Sequence, residues 1–338
     1  MDIAYSFGKD DDGLNAMYSF RERLSDLIPE LPELSPSIEI YPLGHVKCAE
    51  LYCLRDDLIP DYLGGNKARK GFFYEALIRR EKHDAVLTYG SITSNHARVI
   101  SIIAKKLGIP CVIVSPESDQ SSTNQYLSAL FGSWHVYANV SGVSSCIDAE
   151  LGELHRQFGN PIFIAGGGHD STGTLAMVDL YFKINAFQER TGLFFDRIVF
   201  ASGTGGTQAG LIVGNMLAEK DTIIHGVSIA RDTERGIATI SEAIMDVMNS
   251  AFDIRSCNIT FDTDYIGGGY GRTTKDMKDK IRQYVVDYQL PLDFTYTGKA
   301  FYGMINLIDR LERPERILFI QTGGTPLFCD DLRRSSLT

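Results

Sequence analysis

The stretch DRIVFASGTGGTQAGLIVGNMLAEK, residues 196–220, is followed almost at once by IIHGVSIA at 223–230. An apolar run that ends in glycines, then an apolar-periodic run, then a second apolar run is the pattern of strand, turn, helix and parallel strand. The same unit stands upstream, where AVLTYG (85–90) leads through SITSN (91–95) into ARVISIIAKKLG (97–108), closed by Gly108 and Pro110, and then into CVIVS. A third strand, RILFIQTGG (316–324), runs into paired glycines. The chain therefore reads as α/β with parallel sheets carrying helices on their faces, and no fixed-period repeat interrupts it.

Composition sets the outer bounds. The chain has 338 residues, of which 44% are hydrophobic and 22% charged, enough to bury a globular core and to form roughly two domains of about 150 residues. A net charge of −10 repels phosphate backbones and anionic lipid, which argues against nucleic-acid partners and against a membrane surface. No run approaches the ~20 apolar residues of a membrane helix, and the acidic start MDIAYSFGKDDDG does not resemble a signal peptide, so a cytoplasmic protein is expected. Six cysteines without a C-x-x-C pair and seven histidines without an H-x-x-x-H pair give no support for a metal site.

Chemistry is expected where strands end in glycine. SITSN (91–95), GGGHDSTG (166–173), SGTGGTQAG (202–210) and TGG (322–324) mostly fall at strand ends or helix starts, the edge at which open α/β sheets bind ligands. The loop Ser202-Gly203-Thr204-Gly205-Gly206-Thr207 can turn several backbone N–H groups toward one anion at a helix N-terminus. It lacks the lysine of a Walker loop, and Gln208 stands where a dinucleotide fingerprint needs its third glycine, so a single phosphomonoester suits it better. Gly166–Gly168 is a candidate hinge between domains, and residues 252–300, rich in Asp, Gly and Thr, are expected to form loops and short elements around a cleft.

Upstream, GGNKARK (64–70) places Lys67 beside Arg69 and Lys70. Neighbouring cations or burial lower a lysine's pKa and make its amine a nucleophile, although a solvated basic loop would read the same way. A lysine that can form a Schiff base, together with a separate phosphate cradle, is what pyridoxal phosphate requires.

Taken in order, GGNKxRK, SNHxR, SGxGGTxAG, GYG, YTGKxxxG and TGGxP resemble the D-cysteine desulfhydrase / 1-aminocyclopropane-1-carboxylate deaminase family over about residues 42–328. The resemblance implies a fold type II pyridoxal-phosphate enzyme similar to the tryptophan synthase β subunit. It implies a large cofactor-binding domain from 1–74 with 171–338, a small α/β domain at 75–170, and a homodimer. Lys67 resembles the lysine that holds the cofactor covalently, and Asn95 the partner of its phenolic oxygen. Thr204, Gly205, Gly206 and Thr207 match the phosphate-binding stretch, with Lys70 near it. Ser94 and Asn95 would meet the substrate carboxylate, with Thr93, His96 and Tyr296 also facing the substrate. Tyr270 in GGGYG and Tyr296 in DFTYTGK resemble the pair facing the amino acid, so the expected catalytic set is Lys67, Tyr296, Tyr270 and Ser94.

Two positions separate the branches. The deaminase branch carries a glutamate near the pyridine nitrogen after the YxGK tyrosine, and a leucine before the last glycines; here these are Thr297 and Thr322. A carboxylate keeps that nitrogen protonated and deepens the electron sink needed to open a cyclopropane, whereas expelling a thiol demands less. The resemblance thus favours β-elimination of D-cysteine or a related amino acid to a keto acid, ammonia and sulfide. Deamination of the cyclopropane amino acid, β-replacement or another elimination on a specialised amino acid, and a non-catalytic binding protein are the alternatives. Thr93, Gln321 and Arg272 depart from the family's usual Gln, His and small residue, and bear on which amino acid is taken.

Overall fold

The computed structural model describes residues 35–248, 253–254 and 257–335, so the first 34 residues of the expected large domain lie outside the described residues. The described residues open with a hairpin of β1 (Ile40–Val46) and β2 (Ala49–Arg55), then enter α1 (Asn66–Glu81). Next come β3 (Ala85–Tyr89), α2 (Asn95–Leu107), β4 (Cys111–Pro116), α3 (Thr123–Leu130), β5 (Trp134–Ala138), α4 (Val143–Gln157) and β6 (Pro161–Ile164). The long α5 (Ser171–Thr191) leads into β7 (Arg197–Ser202), α6 (Gly206–Leu217), β8 (Ile223–Ser228), α7 (Thr233–Met248) and β9 (Thr260–Asp262). Last are α8 (Lys275–Tyr288), α9 (Thr297–Ile308), β10 (Glu315–Gln321) and α10 (Thr325–Ser335).

Two sheets result. One has six strands in the order β1-β2-β10-β7-β8-β9, parallel except for the β1–β2 hairpin; the other has four parallel strands in the order β5-β4-β3-β6. The four-stranded sheet is drawn from residues 85–164 alone. Two separate α/β sheets agree with the architecture that the resemblance implies.

Strand alternation explains the layers. Ile198, Phe200, Leu318 and Ile320 face a core shared with α5, α6 and α7, while Val199, Val227, Ile317 and Phe319 face a second core with Phe301 and Met304 of α9. In the smaller sheet Val86, Ile113 and Ile164 pack with Ile100 and Ile103 of α2, and Leu87, Val112 and Val114 pack with Leu154 of α4. Both faces of the central strands are therefore covered, which leaves their ends as the open edge.

One expectation is corrected. The segment 252–300 contains the 14-residue α8, capped by Thr274, whose side chain accepts from the Met277 amide. Met277 and Ile281 are its buried positions, and Tyr284, Val285 and Tyr288 pack partly buried against the same core, so the helical period is present but interleaved with charged residues. No helix among the described residues is long and apolar enough to cross a membrane.

Candidate active site

A cavity of about 440 Å³ opens where the C-terminal ends of strands from both sheets meet. Ten of the residues singled out above line it: Lys67, Ser94, Asn95, His96, Thr204, Gly205, Thr207, Tyr270, Tyr296 and Thr322. They come from six separate stretches, brought together by strand ends and helix starts.

Lys67 is the second residue of α1, and the turn before it depends on Gly65. That glycine has φ of +92°, and a Cβ there would stand 2.6 Å from the Thr322 carbonyl oxygen, so only glycine lets the 64–67 turn lie against the Thr322–Gly323 turn. The Asn66 amide donates to that same carbonyl at 3.0 Å. Lys67 Nζ donates to the Gly167 carbonyl at 2.8 Å. Burial pushes the amine down to about 8, and a position in the first turn of a helix, at the positive end of its dipole, acts in the same direction.

The glycine-rich turn forms the opposite wall. Gly205, with φ of +89°, precedes the first turn of α6, whose leading N–H groups have no partners within the helix. The hydroxyl of Thr207 accepts from Asn66 Nδ2 at 3.0 Å, which joins this turn to the Lys67 turn. Arg231, just past β8, donates to the Gly203 carbonyl from the cavity wall.

From the smaller sheet, Ser94 caps α2 by accepting from the Ala97 amide at 3.1 Å, and Asn95 and His96 follow in its first turn. Asn124 Nδ2 donates to Asn95 Oδ1 at 2.9 Å and fixes that amide's orientation. His96 is buried with neither ring nitrogen hydrogen-bonded within the protein. Burial, then the proximity of Lys67 and Lys70, holds its pKa well below the ordinary imidazole value, so it is neutral.

At the mouth, the hydroxyls of Tyr270 and Tyr296 lie 2.5 Å apart. Tyr270 also stands 3.2 Å from Ser91 Oγ and 3.4 Å from Thr93 Oγ1, so one phenol links loops belonging to both sheets. Burial first, and the neighbouring Tyr270 second, pushes Tyr296 well above the usual phenol value, so it carries its proton at neutral pH.

Four expected residues, Lys70, Thr93, Gly206 and Thr297, do not line the cavity. Lys70 is buried and donates to the Gly168 carbonyl at 2.5 Å, and a Cβ on Gly206 would lie 3.3 Å from its Nζ. Thr297 donates to Asp293 Oδ2 at 2.8 Å. Thr93 packs its hydroxyl 2.9 Å from Ser91. Of the departures from the family pattern, Gln321 is buried with its amide on the Pro291 carbonyl, and Arg272 is exposed; neither lines the cavity.

Sequence reasoning missed Asn66, Tyr89, Ser91 and Arg231 on the wall and Asp293 beneath it. Tyr89 and Arg231 end or follow parallel strands, so the strand-edge rule carried their signal. Asp293 carried none, because its role depends on a local turn: it accepts from the amides of Thr295, Tyr296 and Thr297.

Comparison with known proteins follows the same lines. Residues 31–323 match the pyridoxal-phosphate dependent enzyme family. The chain is 35% identical over 282 residues to a putative 1-aminocyclopropane-1-carboxylate deaminase of Pyrococcus furiosus, covering 82% of this chain and 85% of that one. It is 30% identical to a D-cysteine desulfhydrase of Serratia proteamaculans, covering 82% and 87%. The crystal structure of a homologue of 1-aminocyclopropane-1-carboxylate deaminase superposes with a TM-score of 0.81 at 30% identity, covering 94% of this chain and 99% of that one.

Proposed function

The chain belongs to the pyridoxal-phosphate dependent enzymes, in the family of 1-aminocyclopropane-1-carboxylate deaminases and D-cysteine desulfhydrases, and from that premise we propose a lyase that removes a β-substituent from a small amino acid, D-cysteine foremost. The cavity suits the cofactor on three counts. The first turn of α6 offers unpaired N–H groups and the Thr204 and Thr207 hydroxyls to a phosphate. A lysine amine with a depressed pKa reaches the same space, and the partnerless ring of His96 faces it. Pyridoxal phosphate supplies the electron sink that makes a substrate α-carbon acidic.

The observation that carries the choice of reaction is the chemistry of the wall: no Asp or Glu lines the cavity among the described residues. Thr322 stands there with a hydroxyl, and Thr297 is hydrogen-bonded to Asp293 behind it. Such a wall is poorly equipped to keep a pyridine nitrogen protonated, which ring opening needs and thiol expulsion does not.

The chain's own groups then divide the work. Lys67 would hold the cofactor, and its free amine would take the α-proton at Nζ. Ser94 and the first turn of α2 bind the substrate carboxylate with a hydroxyl and backbone N–H groups. The protonated Tyr296, hydrogen-bonded to Tyr270, delivers a proton to the leaving group. The Cα–H and Cβ–S bonds break, sulfide leaves with a proton, and the released unsaturated amine takes up water to give pyruvate and ammonia. The same reading places the protein in the cytoplasm as a homodimer: the six cysteines are free thiols, which suits a reducing compartment, and the dimer rests on the family resemblance.

A substrate panel tests the reaction. Sulfide and pyruvate from D-cysteine are expected; 2-oxobutanoate from 1-aminocyclopropane-1-carboxylate, with D-cysteine inert, would replace elimination by ring opening.

A further inference from the structure

Lys299 lies in the first turn of α9, three residues after Tyr296, with no solvent exposure. Its Nζ donates to three backbone carbonyls: Ile229 at 3.0 Å, Ile266 at 2.6 Å and Gly269 at 2.8 Å. An ammonium has three donors and no acceptor, so every proton it carries has a partner. Ile229 follows β8 on the cavity wall, while Ile266 and Gly269 belong to the loop that presents Tyr270.

Two long backbone bonds tie that loop internally, from the Gly269 amide to the Ile266 carbonyl at 3.4 Å and from the Arg272 amide to the Gly269 carbonyl at 3.2 Å. Gly267, Gly268, Gly269 and Gly271 all take positive φ, at 68°, 100°, 120° and 68°. Glycine retains the most backbone freedom in an unconstrained chain, so four of them around one tyrosine make its placement costly in entropy. Packing does not compensate, because Tyr270 is 42% exposed. An unbranched apolar side chain would fill the same volume but would take from three carbonyls the donor they share. What only a lysine of this length supplies is one point to which carbonyls from two separate segments can be gathered.

We propose that Lys299 is a positioning residue that fixes the 266–271 loop and thereby sets the Tyr270 hydroxyl against that of Tyr296. The assignment rests on the lyase reading only for its kinetic consequences; the ordering of the loop stands independently of any substrate.

The test uses the holoenzyme and the variants Lys299→Met, Lys299→Gln, Tyr270→Phe and Lys299→Met/Tyr270→Phe. Amide hydrogen exchange followed by mass spectrometry reads the loop directly, whatever the substrate. Faster exchange in peptides covering 266–272 is expected in both Lys299 variants, with exchange in α1 and the visible band of the bound cofactor unchanged. On the amino acid the enzyme turns over, kcat should fall about tenfold or more with a smaller change in KM, and in the Tyr270→Phe background the same Lys299 change should cost less than about a further twofold. Unchanged exchange in the loop, or a fully multiplicative loss of kcat in the double variant, would overturn the assignment. Failure of both Lys299 variants to fold would overturn it too, since Lys299 would then serve the whole domain. Absence of turnover on every substrate would count against the lyase reading and leave the exchange result to decide the role of Lys299.

Discussion

Lys67 Nζ donates to the Gly167 carbonyl oxygen at 2.8 Å, and this bond ties the first turn of α1 to the loop entering α5, at the junction between the four-stranded and six-stranded sheets. The amine is held at the cavity by an acceptor that it can leave without leaving a charge behind, which suits a group that must alternate between covalent attachment and proton transfer.

Lys67→Ala should therefore lose the visible band of a lysine Schiff base and lower turnover by about 10²–10⁴-fold or more, while the circular dichroism spectrum stays unchanged. Retained turnover at parental level would remove Lys67 from the chemistry.

The depressed pKa of Lys67, about 8 against the ordinary 10.5, fixes a pH dependence with a definite sign. Only the unprotonated amine attacks an aldehyde, so capture of pyridoxal phosphate by the apoprotein should accelerate as pH rises toward 8 and level off above it. Stopped-flow absorbance between pH 6 and 10 reads this; continued acceleration up to about pH 10 would mean an unshifted lysine.

Asp331 on α10 is pushed up to about 7, burial being the main cause and Asp293 a further one. A carboxyl whose folded pKa exceeds its unfolded value binds more protons when folded, so stability falls as pH rises from about 4 to 7 and stays reduced above. Asp331→Asn should raise the melting temperature at pH 8 by about 1–2 °C, the equivalent of about 1 kcal/mol in a protein of this size, and have little effect near pH 4. A thermal melt at the two pH values with equal shifts would contradict this.

Gly65→Ala places a Cβ 2.6 Å from the Thr322 carbonyl at φ of +92°. The substitution should destabilise by about 1–3 kcal/mol and displace the Lys67 turn, weakening cofactor retention on gel filtration. A variant with parental melting temperature and retention would show that the turn is not held by this contact.

Much of this was readable in advance. Strand, turn and helix units at 85–115 and 196–230 carry their periods in the sequence because both faces of their sheets are buried, and six short patterns in a fixed order converge on one cavity. Residues that act through a neighbour were not readable. Asp293 and Lys299 satisfy backbone groups that only the folded chain brings within reach, and neither residue type signals that work. The helix at 275–288 is a different case: Met277, Ile281, Tyr284 and Tyr288 recur at helical spacing and pack on the core, and the charged residues among them mask the pattern in the composition.

Three lysines around or behind the cavity have lowered pKa values, Lys67, Lys70 and Lys299, and any of them could in principle react with an aldehyde. Borohydride reduction of the holoenzyme followed by peptide mapping distinguishes them in one measurement. The reduced phosphopyridoxyl group is expected on Lys67 alone; its recovery on Lys70, on Lys299 or elsewhere would contradict the assignment of this cavity's nucleophile.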